Sequence, residues 1–129
     1  NMTSSEIRKL GVKFLKEFLK NEDIRVSGFY PSEKIQGKSE RWWFEPPLEK
    51  IKNGTYLHLL CQYEDGSSFH YLRIPVKDIE GYIEKGSLDV REKTNSKYIS
   101  IELSAQFDNR FQDLRGKGKI NFSKYLQNP

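Results

Sequence analysis

Apolar residues recur at helical spacing near the start of the chain, where a helix is predicted. Thr3-Ser4-Ser5-Glu6 has the pattern of a capping box, in which each of the two outer side chains accepts a hydrogen bond from the other residue's backbone amide. A helix is therefore predicted to begin there. Its apolar face would carry side chains three and four positions apart, namely Ile7, Leu10, Phe14, Leu15, Phe18 and Leu19.

The middle of the chain predicts a β-hairpin followed by a helix. Residues 56–63 are nearly continuously apolar, which is typical of a central strand that is covered on both faces. The turn-forming segment EDGSS follows, and residues 69–74 predict the returning strand. Pro75 ends that strand, and residues 76–85 place apolar side chains on one helical face until Gly86 ends the helix.

Shorter patterns predict the remaining elements. Phe107, Phe111 and Leu114 have the spacing of a further helical turn or short helix. The other short apolar runs predict strands at residues 24–26, 42–44, 88–91 and 98–104.

Together these patterns predict an α+β fold in a single domain over residues 1–129. The sheet is expected to be mixed or antiparallel, with four to five strands built around the hairpin at 56–74. The N-terminal helix and the second short helix would pack on that sheet. Residues 115–129 are expected to form a flexible basic loop and a docked tail.

The composition fits an ordered domain in a reducing compartment. Of the 129 residues, 36% are hydrophobic and 13% are aromatic, so the core must draw on Phe, Tyr and Trp. Cys61 is alone, which excludes an internal disulfide, and neither a signal peptide nor a membrane-spanning run is visible. A cytoplasmic protein without a membrane partner is therefore expected. Since Asn1 precedes Met2, we expect Met2 to be the natural first residue and Asn1 an added one.

The net charge of +4 is concentrated at the two ends of the chain. Residues 1–50 hold ten Lys/Arg against eight Asp/Glu, and residues 107–129 hold five against two. A basic face of this kind is what a polyanion needs, because each phosphate that a protein neutralises releases condensed counterions. A lysine-rich surface that only remains solvated is the alternative interpretation.

The segment RWWFEPP at 41–47 gathers both tryptophans of the chain. Trp rings beside Lys and Arg can stack on bases while the cations bind phosphates, so DNA or RNA is the expected partner. A protein partner that docks on the Trp42-Trp43 block is the alternative, because Trp and Arg are common hot-spot residues. The residues expected to bind nucleic acid are Lys38, Arg41, Trp42, Arg115, Lys117 and Lys119.

No pattern predicts a metal, a cofactor or a catalytic nucleophile. His58 and His70 lie on strands that are predicted to pair, but a zinc site needs three or four ligands. Cys61, three positions after His58, would point to the opposite face of the strand. The glycine-flanked turn of a hydrolase nucleophile and the glycine-rich phosphate-binding fingerprints are both absent from the sequence.

Residues 35–80 resemble part of a known family. The run IQGKS at 35–39, the RWWF block, the hydrophobic strand and a second strand ending in Ile-Pro are together similar to the C-terminal half of restriction-endonuclease-like PD-(D/E)XK proteins. This resemblance implies that Gln36 and Lys38 match the family's Gln-x-Lys pair, with Lys38 positioning the attacking water. No Pro-Asp pair lies upstream. The resemblance therefore implies either a degenerate, non-cleaving relative or a metal-dependent nuclease whose acidic residues are not identified.

Overall fold

The computed structural model describes residues 2–15, 22–34 and 37–128. Within these residues the chain forms three α-helices and six β-strands, so the predicted α+β class is confirmed. The strands form two three-stranded sheets, and the single sheet of four to five strands is wrong. Strands adjacent in the sequence are the usual pairing partners, whereas several strands of this chain pair with distant ones.

Helices and strands alternate irregularly along the chain. Two 3-10 helices, Ser32–Lys34 and Phe122–Tyr125, supplement the regular elements. In chain order those elements are α1 (Ser4–Leu15), β1 (Asp23–Ser27), β2 (Arg41–Phe44), α2 (Leu48–Ile51), β3 (Tyr56–Gln62), β4 (Phe69–Pro75), α3 (Val76–Glu84), β5 (Asp89–Lys93) and β6 (Ser96–Ser104).

The first sheet has the strand order β1-β3-β4 and is mixed. β1 runs parallel to β3, and β3 pairs with β4 as the predicted hairpin. The C-terminal tail covers the outer edge of β4, where Leu126 forms a bridge to Leu72. The side chain of Asn128 accepts a hydrogen bond from the Tyr71 amide and donates one to the Phe69 carbonyl, both at 2.8 Å. The tail therefore satisfies backbone groups at a sheet edge.

The second sheet has the order β2-β6-β5 and is antiparallel throughout. β5 and β6 form a hairpin, and the distant strand β2 pairs with β6, with Trp42 opposite Leu103. A hydrogen bond of 2.9 Å from the Trp43 amide to the Ser27 hydroxyl links β2 to β1. The two sheets are thus joined at this edge.

One hydrophobic cluster takes side chains from both sheets and from α3, which contributes Val76 and Ile79. The tail adds Phe122, which is fully buried, and Tyr125. The members on the strands include Trp42, Phe44, Leu57, Leu59, Leu72, Ile74, Ile99, Ile101 and Leu103.

The N-terminal helix α1 begins at the predicted capping box. The Glu6 amide donates to the Thr3 hydroxyl at 3.2 Å, and the Thr3 amide donates to the Glu6 carboxylate at 2.9 Å. Leu15 packs with Leu60 and Phe69 in a second, smaller cluster. Leu10, which was expected on the packing face, is 43% exposed. Phe18, Leu19 and the side chain of Phe14 lie outside the described part of the chain.

The helical turn expected over residues 107–114 is wrong. Phe111 has a φ of 69°, in the left-handed region, and the segment forms a turn followed by isolated bridges at Gln112 and Asp113. The ring of Phe111 is buried, whereas Phe107 is 90% exposed. The two rings therefore do not share a helical face.

The helix α3 lies between Pro75 and Gly86, as predicted. Gly86 has a φ of 71° and its amide donates to the Ile83 carbonyl at 2.9 Å, which closes the last turn. No helix in the described ranges combines the length and the apolar character needed to cross a bilayer.

Candidate functional site

Trp42 and Trp43 point in opposite directions from β2. Trp42 is 2% exposed, its indole N–H donates to the Gln62 carbonyl at 2.7 Å, and its ring stacks on Phe111 with 5.5 Å between centroids. Trp42 is therefore a core residue, and the expectation that it stacks on bases is wrong. Trp43 is 46% exposed. Successive side chains of a strand face opposite sides of the sheet, so burial of the first leaves the second to solvent.

The exposed ring of Trp43 lies beside a second exposed aromatic ring, that of Tyr30. The two centroids are 6.4 Å apart with an interplanar angle of 61°, an edge-to-face arrangement. Tyr30 is 39% exposed, and its backbone exchanges two hydrogen bonds of 3.0 Å with Arg41. The pairing with β2 thus fixes the position of Tyr30 next to Trp43.

These two rings form one side of a cleft with a volume of about 380 Å³. We call this the Trp43 cleft; it is lined by Tyr30, Lys34, Lys38, Arg41, Trp43, Glu102 and Arg115. Three of the residues expected from the sequence, Lys38, Arg41 and Arg115, therefore lie together, although Arg115 is far from the other two in the chain. The sequence-based set omitted Tyr30, Lys34, Trp43 and Glu102.

A network of ion pairs forms the floor of the Trp43 cleft. Glu102 accepts from Arg41 at 2.9 Å through one oxygen and from Arg115 at 3.1 Å through the other. Arg115 also contacts Asp89 at 3.1 Å. Burial alone would lower the pKa of Arg115, but its hydrogen bonds and charge contacts with Asp89 and Glu102 raise that pKa overall. The guanidinium groups of Arg41 and Arg115 are therefore already paired with carboxylates.

Lys34 and Lys38 differ from the two arginines because neither forms an ion pair with any described residue. Both lysines are exposed at the cleft. They are therefore the cations of the Trp43 cleft that can neutralise an incoming anion without breaking an existing pair.

The basic loop at residues 115–119 is hydrogen-bonded to the rest of the protein. The Gly116 amide donates to the Asp113 carboxylate at 2.9 Å, and the Gly118 amide donates to the Ser87 carbonyl at 3.0 Å. Lys117 and Lys119 are exposed but do not line the Trp43 cleft. Of the three basic residues expected to act together, only Arg115 reaches the cleft.

The donor groups of a metal site are not assembled in the part of the chain that the structure describes. No group of three or more His, Cys, Asp and Glu side chains could hold a metal ion there. Lys38 lines a cleft whose one carboxylate, Glu102, is bound by two arginines, and Gln36 lies outside the described residues. His58 and His70 are not opposite each other, since His58 pairs with Arg73.

The buried His58 belongs to a separate polar group. Its Nδ1 lies 2.7 Å from the Tyr71 hydroxyl, and its Nε2 lies 3.7 Å from Glu22. Burial lowers the pKa of His58, and the nearby Glu22 carboxylate partly opposes that effect. The lone thiol, Cys61, is completely buried, and burial raises its pKa well above the usual value. A buried neutral thiol is not a nucleophile.

Comparisons with protein-family models, with curated proteins and with solved structures gave no match to this chain.

One signal in the sequence points to Trp43 as the exposed ring. Arg41, Trp43 and Glu45 alternate with Trp42 and Phe44, so Trp43 shares its face with two charged residues. No local pattern identifies Tyr30 and Lys34, because they reach the Trp43 cleft from the connection between β1 and β2, with Lys34 at the end of a 3-10 helix.

Proposed function

We propose that this chain is a non-catalytic nucleic-acid-binding module of the cytoplasm and that the Trp43 cleft is its contact surface. A restriction, defence or mobile-element system is the setting that its resemblance to PD-(D/E)XK proteins suggests. The observation that carries the proposal is the exposed Trp43 ring beside Tyr30 and two unpaired lysines.

The Trp43 cleft has the two components that single-stranded nucleic acid requires. An exposed aromatic ring offers a stacking surface to any base, at about 1–3 kcal/mol per base. Lys34 and Lys38 supply charge for the phosphates that flank the stacked base. Unpaired bases can leave the strand to stack on protein, whereas bases in a duplex are held in their own stack. We therefore expect single strands to bind more tightly than duplexes.

The donor groups favour binding over cleavage. Metal-dependent nucleases need carboxylates that hold the ion and activate water. At the Trp43 cleft the Glu102 carboxylate is instead held by Arg41 and Arg115, at 2.9 and 3.1 Å. Lys38, the residue that the family resemblance assigns to the attacking water, would serve as a phosphate-binding cation in the proposed module.

Fluorescence anisotropy of labelled oligonucleotides, single- and double-stranded, DNA and RNA, tests the proposal. Titrations at several salt concentrations should show saturable binding that weakens as salt rises, with a log–log slope of about 0.7 per phosphate contact on a single strand. Replacing both Lys34 and Lys38 with Ala should reduce that slope. Cleavage in the presence of magnesium, lost in Lys38→Ala, would instead support the nuclease alternative.

Matched variants distinguish binding at the Trp43 cleft from binding that depends on exposed aromatic or basic residues elsewhere on the surface. Trp43→Ala should weaken single-strand binding by about fivefold to a hundredfold, as expected for the loss of one stacked base. Phe107→Ala is the aromatic control, because Phe107 is exposed and does not line the cleft. Replacing Lys117 and Lys119 together is the charge control, since both are exposed outside the cleft.

The proposal is wrong if no oligonucleotide binds at low salt, or if Trp43→Ala and Phe107→Ala have the same effect. A protein partner that docks on Trp43 and Tyr30 would then be the remaining candidate. Its binding would depend on Trp43 but only weakly on salt, because an apolar docking surface releases few counterions.

A further inference from the structure

A second cavity, with a volume of about 600 Å³, lies beside Trp42 and does not include any residue of the Trp43 cleft. Its volume is within the range of small-molecule sites, about 300–1,000 Å³. Four rings line it, those of Phe29, Trp42, Tyr63 and His70. Trp42 thus contributes to the core and to the wall of this cavity at the same time.

The aromatic rings that line this cavity pack against one another. His70 lies 4.5 Å from Tyr63 and 5.5 Å from Trp42, and Trp42 lies 6.1 Å from Phe29, measured between centroids. A cation interacts favourably with an aromatic face within about 6 Å of its centroid. Phe29, Tyr63 and His70 are partly exposed, so a cationic group in the cavity can contact these three rings, whereas Trp42 is covered by its neighbours.

His70 lines the cavity as an uncharged imidazole ring. Burial, and secondarily the charge of Arg110, lower the pKa of His70 to about 4, so its ring carries no charge at neutral pH. No hydrogen bond to either ring nitrogen of His70 is formed within the described part of the chain. The ring is thus aromatic surface that also offers a free polar atom to a ligand.

Two carboxylates give the cavity its charge. Glu64 and Asp65 are consecutive, both are exposed, and neither forms an ion pair with a described residue. Hydrogen bonds from the hydroxyl and the amide of Ser67, at 2.7 and 2.9 Å, lower the pKa of Asp65 and keep it ionised. Arg110 is the one cation among the described residues of the lining, and its guanidinium donates to the Ala105 carbonyl at 3.3 Å. The lining therefore carries an excess of negative charge.

We propose that this cavity binds an organic ammonium group that carries methyl substituents, such as a trimethylammonium. Its methyl groups would contact the partly exposed rings of Tyr63, His70 and Phe29, its positive charge would meet those rings, and Glu64 and Asp65 would balance that charge. A primary ammonium ion fits less well, because it loses strong hydration on entering an aromatic site. An anion fits less well because the two carboxylates repel it.

Choline and its uncharged isostere 3,3-dimethylbutan-1-ol test this proposal directly. The two molecules have the same shape and differ by the positive charge, so the comparison separates cation–π binding from simple apolar burial. Titrations followed by protein NMR or calorimetry should show choline binding at millimolar concentrations and the isostere about tenfold more weakly. Equal affinity for the two molecules would overturn the proposal.

Substitutions at the cavity should change choline affinity in opposite directions. Glu64→Gln removes an attracting charge and should weaken binding severalfold, whereas Arg110→Gln removes a repelling charge and should strengthen it. Tyr63→Ala should weaken it as well, and Tyr98→Ala is the matched control, because Tyr98 is partly buried like Tyr63 but lines neither this cavity nor the Trp43 cleft. Weaker binding in Arg110→Gln would contradict the proposed charge. Glu64 and Arg110 are exposed, so their variants should fold even if Tyr63→Ala does not.

The trimethylammonium group could belong to a free small molecule or to a methylated lysine of a protein. A peptide containing trimethyllysine, titrated beside the same peptide with unmodified lysine, distinguishes the two sources. Tighter binding of the methylated peptide than of choline would assign a protein ligand, and choline binding without any peptide binding would assign a small molecule. Failure of both probes would overturn the proposal without affecting the Trp43 cleft.

Discussion

At the scale of single residues, adjacent Trp42 and Trp43 contribute to different properties of the protein. Trp42 is 2% exposed and satisfies its indole N–H with the Gln62 carbonyl, so it contributes packing and a buried hydrogen bond. Trp43 is 46% exposed and contacts Tyr30 edge-to-face at the surface. Stability should therefore depend on the first residue, and surface recognition on the second.

Replacing each tryptophan with alanine should separate these contributions. Trp42→Ala leaves a large void and an unsatisfied carbonyl, and it should lower the free energy of unfolding by about 3–5 kcal/mol. Trp43→Ala should lower it by less than about 1 kcal/mol, as is usual for surface positions. Urea unfolding followed by far-UV circular dichroism measures both. Equal losses would show that Trp43 is also a core residue.

The sequence allows part of this division to be predicted. Neighbouring residues of a strand face opposite sides of the sheet. The charged residues Arg41 and Glu45 share a side with Trp43, which places Trp43 on the solvent face. The sequence does not show that Glu102 binds Arg41, because that contact joins residues 61 positions apart. The aromatic and basic character of the candidate site was therefore predictable, but the residues that complete it were not.

At the scale of elements, local signals predicted most helices and strands. The capping box at Thr3 and Glu6, the hairpin of β3 and β4, and the end of α3 at Gly86 all depend on residues close together in the sequence. The division into two sheets depends on the pairings β1 with β3 and β2 with β6, which are not local. Local patterns carry no information about such pairings.

The basic loop at residues 115–119 also has contacts that its local sequence does not predict. Its glycines and lysines predict flexibility, yet Gly116 is buried and packs against the backbone of Ser87. A Cβ placed on Gly116 would lie 2.9 Å from Leu88 Cα and 2.8 Å from an Asp113 carboxylate oxygen, and it would overlap the Ser87 carbonyl oxygen. The loop is therefore part of the structure that supports β5.

Replacing two glycines with alanine tests that interpretation, because the two substitutions should change the free energy of unfolding in opposite directions. Gly116→Ala should lower the free energy of unfolding by about 1–3 kcal/mol, because backbone atoms must move to admit the methyl group. Gly81→Ala, inside α3 with open space around it, should raise that free energy by about 0.5–1 kcal/mol through helix propensity. Thermal and urea unfolding measure both. A neutral Gly116→Ala would mean that the loop moves freely.

At the scale of the whole molecule, the two sheets share one hydrophobic core. The main cluster joins Leu57 and Leu59 of the first sheet to Ile101 and Leu103 of the second. The hydrogen bond from Trp43 to Ser27 and that from Trp42 to Gln62 cross between the sheets as well. Neither sheet can bury its apolar face without the other, so the sheets should fold as one unit.

Native-state hydrogen exchange should show that the two sheets unfold together. The slowest amides of β3 and of β6 are expected to have the same free energy of opening. That value should equal the free energy of global unfolding measured in urea. Amides of α1 should exchange with a lower free energy, because that helix packs through Leu15 onto the separate small cluster with Leu60 and Phe69. If β6 exchanged through an opening that left β3 protected, the sheets would be separate cooperative units. The cavity beside Trp42 would then sit between two parts that open independently, and its ligand would stabilise their closed arrangement.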